Sequence, residues 1–288
     1  MKVDTISQQI FFTTIRIDTI SADGSQGSGT GFIVNHDLSE NNSAYFIVTN
    51  KHVITNTNEG MFTFLKTKDG APALGDGFRL HLDHNNWAQM WFGHPDPDVD
   101  IAICALIPLL EFGKLNHGID VFFRSINTAI IPSEEQIADL DALESITFIG
   151  YPNGVWDSKN LLPVARRGTT ASPIEVDFEG TLRFLIDASV FGGSSGSPVF
   201  LLNEGSYAAK GGGLVAGSRF YFLGVVAAVF YRTQFNQIIA VPIPTQVQPM
   251  VEQREMIDLG IVFKARTVVE TINAFLAAHN AGQVAPAG

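Results

Sequence analysis

The stretch Phe191-Gly192-Gly193-Ser194-Ser195-Gly196-Ser197-Pro198-Val199-Phe200 constrains this chain more than any other. Glycines around a serine specify a tight turn, and Pro198 followed by β-forming residues sends the chain out of it as a strand. The turn presents one hydroxyl, that of Ser195, immediately before that strand.

A serine alcohol is a weak nucleophile until a base takes its proton. The base is found in Tyr45-Phe46-Ile47-Val48-Thr49-Asn50-Lys51-His52-Val53-Ile54, where a hydrophobic strand runs into His52. A third group must orient the imidazole, and three acids stand close together in Asp96-Pro97-Asp98-Val99-Asp100. Asp96 and Asp98 fall in a proline-stiffened loop. Asp100 precedes Ile101-Ala102-Ile103-Cys104, whose burial would desolvate its carboxylate and fix it beside the imidazole, so Asp100 is the choice and Asp98 the fallback. His81, His84 and His94 resemble metal-ligand spacing, but alternation along a strand puts His81 and His84 on opposite faces. They read as surface histidines, with no metal expected, and His36 and Asp37 read as a solvated turn.

Only 16% of the 288 residues are charged, and 27 glycines accompany 22 phenylalanines. That balance suits many short buried strands joined by glycine turns. Candidate strands cover 9–17, 31–34, 45–49, 87–92, 146–150, 164–170, 182–187, 198–202, 220–230 and 238–241. A glycine-rich loop spans 21–31, one helical turn holds His52, and residues 112–131 connect two halves. Ser133 caps a short helix reaching Leu143, an amphipathic helix spans 265–278, and 283–288 is a disordered tail. A net charge of −11 argues against nucleic-acid or anionic-membrane surfaces, which need clustered Lys and Arg, and leaves a neutral or basic peptide as the easier partner. The first residues lack a secretion-signal pattern, and no apolar run approaches the ~20 residues of a membrane span. The single cysteine, Cys104, has no internal disulfide partner, which fits a cytoplasmic protein.

The chain order His52, Asp100, Ser195 is that of the chymotrypsin-like double-barrel proteases. The sequence resembles a trypsin-like (chymotrypsin-fold) serine protease, and is most similar to the bacterial high-temperature-requirement branch. The likeness is carried by Gly29-Thr30-Gly31-Phe32-Ile33-Val34, the His52 and Asp100 blocks, Ile149-Gly150-Tyr151-Pro152-Asn153-Gly154, Arg167-Gly168-Thr169-Thr170-Ala171-Ser172, Asp187-Ala188-Ser189 and Ile239-Ala240-Val241-Pro242-Ile243-Pro244. It implies an all-β fold of two six-stranded antiparallel β-barrels with a C-terminal α-helix. Residues 1–288 would form a single protease unit, with 1–125 the first barrel, 126–248 a linker and the second barrel, and 249–288 the helix and tail. No separate peptide-binding domain, which the high-temperature-requirement enzymes often have, is recognisable after it.

The resemblance implies a serine endopeptidase that needs no cofactor and acts on protein or peptide through an acyl-enzyme. The backbone N–H groups of Gly193 and Ser195 are the natural oxyanion donors. Ser189, Val190, Ala227, Ala228 and Val229 would line the pocket for P1, the residue whose carbonyl is attacked. No acid lies among them, so Lys or Arg is disfavoured, and Val229 in place of a glycine suggests a small aliphatic side chain. Core packing is the other reading for Ser189 and Val229. Ser194 replaces the aspartate that digestive enzymes pair with a freshly cut amino terminus, so activity should need no cut near residue 20. Control by loop ordering or by a regulatory protein partner is expected instead. Two alternatives compete. One is a catalytically silent binding module on the same fold; the other is an esterase using Ser194, which requires a helix after the serine and a downstream base, where only His279 is available.

Overall fold

The computed structural model describes residues 1–152, 155–234 and 253–280. The expected strand at 238–241, the Ile239-to-Pro244 block, Asn153-Gly154 and the 283–288 tail lie outside the described residues.

The first half is a nine-stranded sheet. Its strands are β1 (Thr14–Ser21), β2 (Gln26–Ser39), β3 (Asn42–Thr49), β4 (Thr57–Lys68), β5 (Ala71–Leu82), β6 (Phe92–Gly93), β7 (Ala102–Ala105), β8 (Val121–Phe122) and β9 (Ile126–Asn127). The path runs β5-β4-β1-β2-β3-β7-β6, with β8 on β4 and β9 parallel to β2. The second half comprises β10 (Ser145–Gly150), β11 (Val164–Thr170), β12 (Arg183–Asp187), β13 (Pro198–Asn203), the hairpin β14 (Ser206–Ala208) and β15 (Leu214–Ala216), β16 (Arg219–Gln234) and β17 (Gln253–Lys264). Six of these close into an antiparallel barrel, β10-β11-β12-β17-β16-β13. A helix, Arg266–Asn280, follows. The fold is all-β with a C-terminal helix, as expected, and barrel closure is seen in the second half.

Strand β2 explains how the halves join. Successive side chains of a strand point to opposite faces, and both faces of β2 are buried. Ile33 packs with Ile47, Phe62, Trp87 and Cys104 inside the first half. Phe32 and Val34 pack with Phe46, Val48, Ile101 and Ile103, and across the seam with Phe200, Phe222, Val225 and Phe263. The C-terminal helix closes the same cluster through Val268 and Ile272, spaced four apart on one face, with Phe275 and Leu276 beside them. No helix among the described residues is long and apolar enough to cross a membrane.

Several elements depart from expectation. The segment expected as a strand over 9–17 begins instead with the end of a helix, Ile6–Gln9, capped by Thr5, and a 3-10 turn, Ile10–Phe12, and its strand is Thr14–Ser21. The 87–92 strand is replaced by a helix, His84–Met90: Asp83 accepts a hydrogen bond from the Asn86 N–H at its start, and Trp87 is buried against β4. Gly60 makes that contact fit, since a Cβ there would stand 2.1 Å from the Trp87 ring. Helix Ile107–His117 occupies part of the expected connection, ending at Gly118 in the left-handed region. The Ser133 cap holds a shorter helix, Glu134–Ala138. The second barrel does not stop at 248, because β17 pairs with both β12 and β16 and completes it.

Candidate active site

His52 is positioned by the end of β3. Asn50 stays extended at the start of a one-turn helix, Lys51–Ile54, which carries His52 to the surface with its side chain 48% exposed. The Asn50 amide donates to the Asp100 carbonyl at 2.7 Å, tying this turn to the segment before β7. Asp100 is flanked by buried Val99 and Ile101, which fix its backbone. Its Oδ1 accepts the His52 N–H at 3.0 Å and its Oδ2 lies 2.5 Å from His52 Nδ1. An ionised carboxylate only accepts hydrogen bonds, so Nδ1 carries a proton, and in the neutral imidazole Nε2 is the nitrogen with the free lone pair. Asp98 makes no bond to His52; its N–H donates to Asp96 within the exposed loop. Lys51 donates to the Asp96 carbonyl at 2.8 Å, and burial pushes its ammonium below the ordinary lysine value against the opposing pull of Asp100, Asp96 and Asp98.

The serine turn is built from its own backbone. The Ser194 N–H donates to Phe191 and that of Ser197 to Ser194, both at 3.0 Å, while Gly196 and Val226 lock the turn against β16. Gly193 and Gly196 sit at φ +82° and +87°, in the left-handed region. A Cβ on Gly196 would stand 1.9 Å from the Thr30 carbonyl oxygen. The Ser194 hydroxyl is buried with no hydrogen-bond partner, whereas Ser195 is half-exposed. Ser195 Oγ donates to the Ala227 carbonyl at 3.4 Å and makes no hydrogen bond to His52. Neither the Gly193 nor the Ser195 N–H bonds to another group among the described residues.

Thr30, which sequence reasoning did not single out, holds these parts together. Its N–H donates to the Ser195 carbonyl at 2.9 Å, and its hydroxyl donates to the Gly193 carbonyl at 3.0 Å. The same hydroxyl accepts the Tyr151 N–H at 3.0 Å, and the Thr30 carbonyl accepts the Thr49 hydroxyl at 2.8 Å. Thr49 lies three residues before His52. The serine turn and the histidine turn thus share one fully buried threonine. Its only signal in the sequence was its place between Gly29 and Gly31.

The expected pocket residues divide. Val190 belongs to the barrel core, Ala227 to the seam cluster, and Val229 packs on the barrel core from its edge. Ser189 and Ala228 are exposed. Beside the His52 turn lies a cavity of about 900 Å³, with Lys51, Ile54, Trp87, Trp91, His94 and Pro97 in its walls. The three histidines with ligand-like spacing are spread apart: His81 pairs with Glu59 at 2.8 Å, His84 begins a helix, and buried His94 faces Glu270 at 3.3 Å. No group of metal-ligand type is found among the described residues.

Solved structures are similar at low identity. A thermostable serine protease, AL20, from an extremophilic microorganism is 15% identical, with 92% of this chain and 97% of that one covered at a TM-score of 0.46. The protease Anisep from Arthrobacter nicotinovorans is 14% identical, with 91% and 94% covered at a TM-score of 0.48. Comparison with curated proteins gives no match. The family model described as "Trypsin-like peptidase domain" matches residues 29–208, more than half of the 288. The chain belongs to the trypsin-like peptidase domain family.

Proposed function

We propose that this trypsin-like peptidase cleaves peptide bonds with His52, Asp100 and Ser195 as its triad. His52 Nε2 takes the Ser195 proton as Oγ attacks the substrate carbonyl, and returns it to the leaving amine. Asp100 holds the imidazole in that tautomer and stabilises its charged form. The oxyanion is received by the Gly193 and Ser195 N–H groups, which are unused within the described residues. Water then hydrolyses the acyl-enzyme by the same route in reverse.

The observation that carries this reading is the pair of hydrogen bonds between His52 and Asp100, which leaves Nε2 as the only basic nitrogen. The absent His52–Ser195 bond is compatible with it, because catalytic hydrogen bonds are often long or misaligned before substrate binds. We infer that ordering of the serine turn, by substrate or by a regulatory protein, completes the site. Activation by a cut near residue 20 is disfavoured, since Ile20 lies inside β1, paired with Gln26 and Glu59. The substrate is a protein or peptide whose P1 side chain is short and not basic. A buried, unpaired Cys104 supports a cytoplasmic setting, and the quoted sequence blocks support kinship with the bacterial high-temperature-requirement branch.

The same missing bond is the one observation that favours a silent binding module. The Ser194 esterase reading loses support from the burial of that hydroxyl and from β13, a strand where its elbow needs a helix. Fluorophosphonate labelling separates the three. Labelling abolished by Ser195→Ala and retained in Ser194→Ala is the result expected. The reverse supports the esterase, and no labelling of any form, with or without candidate partners, supports the binding module.

A further inference from the structure

Arg166 lies on β11, directly opposite Phe148 of β10 in the barrel register. Paired residues on neighbouring strands share a face, and Phe148 is buried in the barrel core together with Ala188 and Val190. The Arg166 side chain therefore rises along the inside of the barrel toward the 189–191 segment. Its guanidinium donates to the Ser189 carbonyl. Its carbon stands 4.7 Å over the Phe191 ring and 5.8 Å over Phe148.

The group is half-buried, and burial pushes its pKa below the ordinary arginine value. A guanidinium has five N–H donors. One goes to Ser189, and no carboxylate among the described residues forms an ion pair with it, in a chain with 29 acidic residues. Neither Asp187 on the adjoining strand β12 nor Asp258 on β17 forms an ion pair with it. By contrast Arg16, Arg219 and Arg266 each have a carboxylate partner. Arg167 is exposed on the opposite face of β11. A fixed, partly desolvated cation without a counter-ion thus stands against the wall expected to receive the P1 side chain.

We propose that Arg166 is the primary specificity determinant of this peptidase, and that the P1 side chain it favours carries a carboxylate, aspartate or glutamate. The inference rests on the reading of Ser195 as nucleophile and on the resemblance that places Ser189 and Val190 in the P1 wall. It refines the expectation from the neutral walls alone. They set the size of the side chain, and a cation from a strand remote in sequence sets its charge. A charge-assisted hydrogen bond to a substrate carboxylate favours it over the isosteric amide by about 10- to 100-fold.

The test uses peptides differing only at P1, as Glu, Gln, Asp, Asn, Ala or Val, in two measurements. Binding is read by calorimetry on full-length Ser195→Ala protein, and turnover as kcat/KM on the intact enzyme. At least one acid should exceed its amide by tenfold or more in binding. Arg166→Gln in the same background should bring the ratio near one, and Arg166→Lys should keep acid ahead of amide. Equal binding of acids and amides by the Ser195→Ala protein overturns the proposal. So does an acid preference that survives Arg166→Gln, or a loss in Arg166→Gln that weakens acid and amide peptides equally, which would make the arginine a brace for the loop. If Arg166→Gln does not fold, the parent ratio and Arg166→Lys decide. Turnover that persists in Ser195→Ala refutes the triad instead, and leaves the binding ratio to judge Arg166.

Discussion

Removing one oxygen from Thr30 should damage both stability and chemistry. Thr30→Val keeps the shape of the side chain and the backbone N–H to Ser195, but deletes the hydroxyl between Gly193 and Tyr151. The Gly193 carbonyl then loses a donor and the Tyr151 N–H loses an acceptor, in surroundings where both residues are buried. Each unsatisfied buried group costs about 1–3 kcal/mol, so the variant should lose about 2–6 kcal/mol. Against a typical total of about 5–15 kcal/mol, that is a large fraction. At about 2–4 °C per kcal/mol for a chain near this size, Tm should fall by about 4–24 °C.

The chemical consequence follows from which carbonyl is released. The Gly193 carbonyl is pinned at 3.0 Å by Thr30, and the glycine N–H proposed as an oxyanion donor belongs to the same residue. Once unpinned, that donor is no longer preorganised, and loss of one such donor lowers turnover by about 10²–10³. Thr30→Ser keeps the hydroxyl and removes one methyl group, so it should cost about 1 kcal/mol and leave labelling near the wild-type rate. The assay is urea unfolding followed by fluorophosphonate labelling at a temperature where all three proteins are folded. A Thr30→Val protein as stable as its parent and labelled at the same rate would refute the shared-threonine account.

Three further outcomes are expected. Gly196→Ala should not give a folded protein by near-UV circular dichroism, since its Cβ would meet the Thr30 carbonyl at 1.9 Å and its φ of +87° disfavours any side chain. Asp100→Asn should lower kcat by about 10⁴ by favouring the wrong imidazole tautomer, while Asp98→Asn, out in the exposed loop, should stay within about threefold of wild type. Burial acts to raise the Asp177 carboxyl, but its ion pairs with Lys264 at 2.6 Å and Arg266 at 3.2 Å outweigh that and hold it below the ordinary aspartate value. A depressed folded pKa adds stability above the unfolded pKa of about 4 and loses it as pH falls through the folded value. Asp177→Asn should therefore be less stable than wild type at pH 6 in urea melts, with the difference shrinking below about pH 4.

What could be read from the sequence depended on how local its causes were. The serine turn, the strands at 146–150 and 198–202 and the terminal helix announce themselves within a few residues, through glycines, β-formers or four-residue spacing. Strand β17 does not. Glu255 and Asp258 interrupt its apolar residues, and its place in the barrel is fixed by β12 and β16, which pair along both of its edges. The helix at His84–Met90 was concealed for a related reason. Trp87, Met90 and Trp91 suit a strand equally well, and the Asp83 cap with the space left by Gly60 decides between the two. Arg166 was missed because its relevance is created by a register, with Phe148 on one side and the Ser189 carbonyl on the other.

The parity of the strands explains why the chemistry gathers where it does. On β2, Thr30, Phe32 and Val34 alternate onto one face, and Phe32 and Val34 fill the seam between the halves. Thr30 is the next position in that row, where the apolar seam gives out and the serine turn begins. The row on β3 behaves alike: Phe46 and Val48 lie in the seam, and two positions on from Val48 Asn50 meets Asp100. Before β7, Val99 and Ile101 belong to the same cluster and Asp100 stands between them, turned to His52. Thr30, Asn50 and Asp100 are therefore each attached to an apolar row whose register is already set by burial. A shift of one residue in β2 would turn Phe32 and Val34 out of the seam and take Thr30 away from Gly193 in the same step. The packing that joins the halves and the tie between the serine turn and the histidine turn are consequently one constraint.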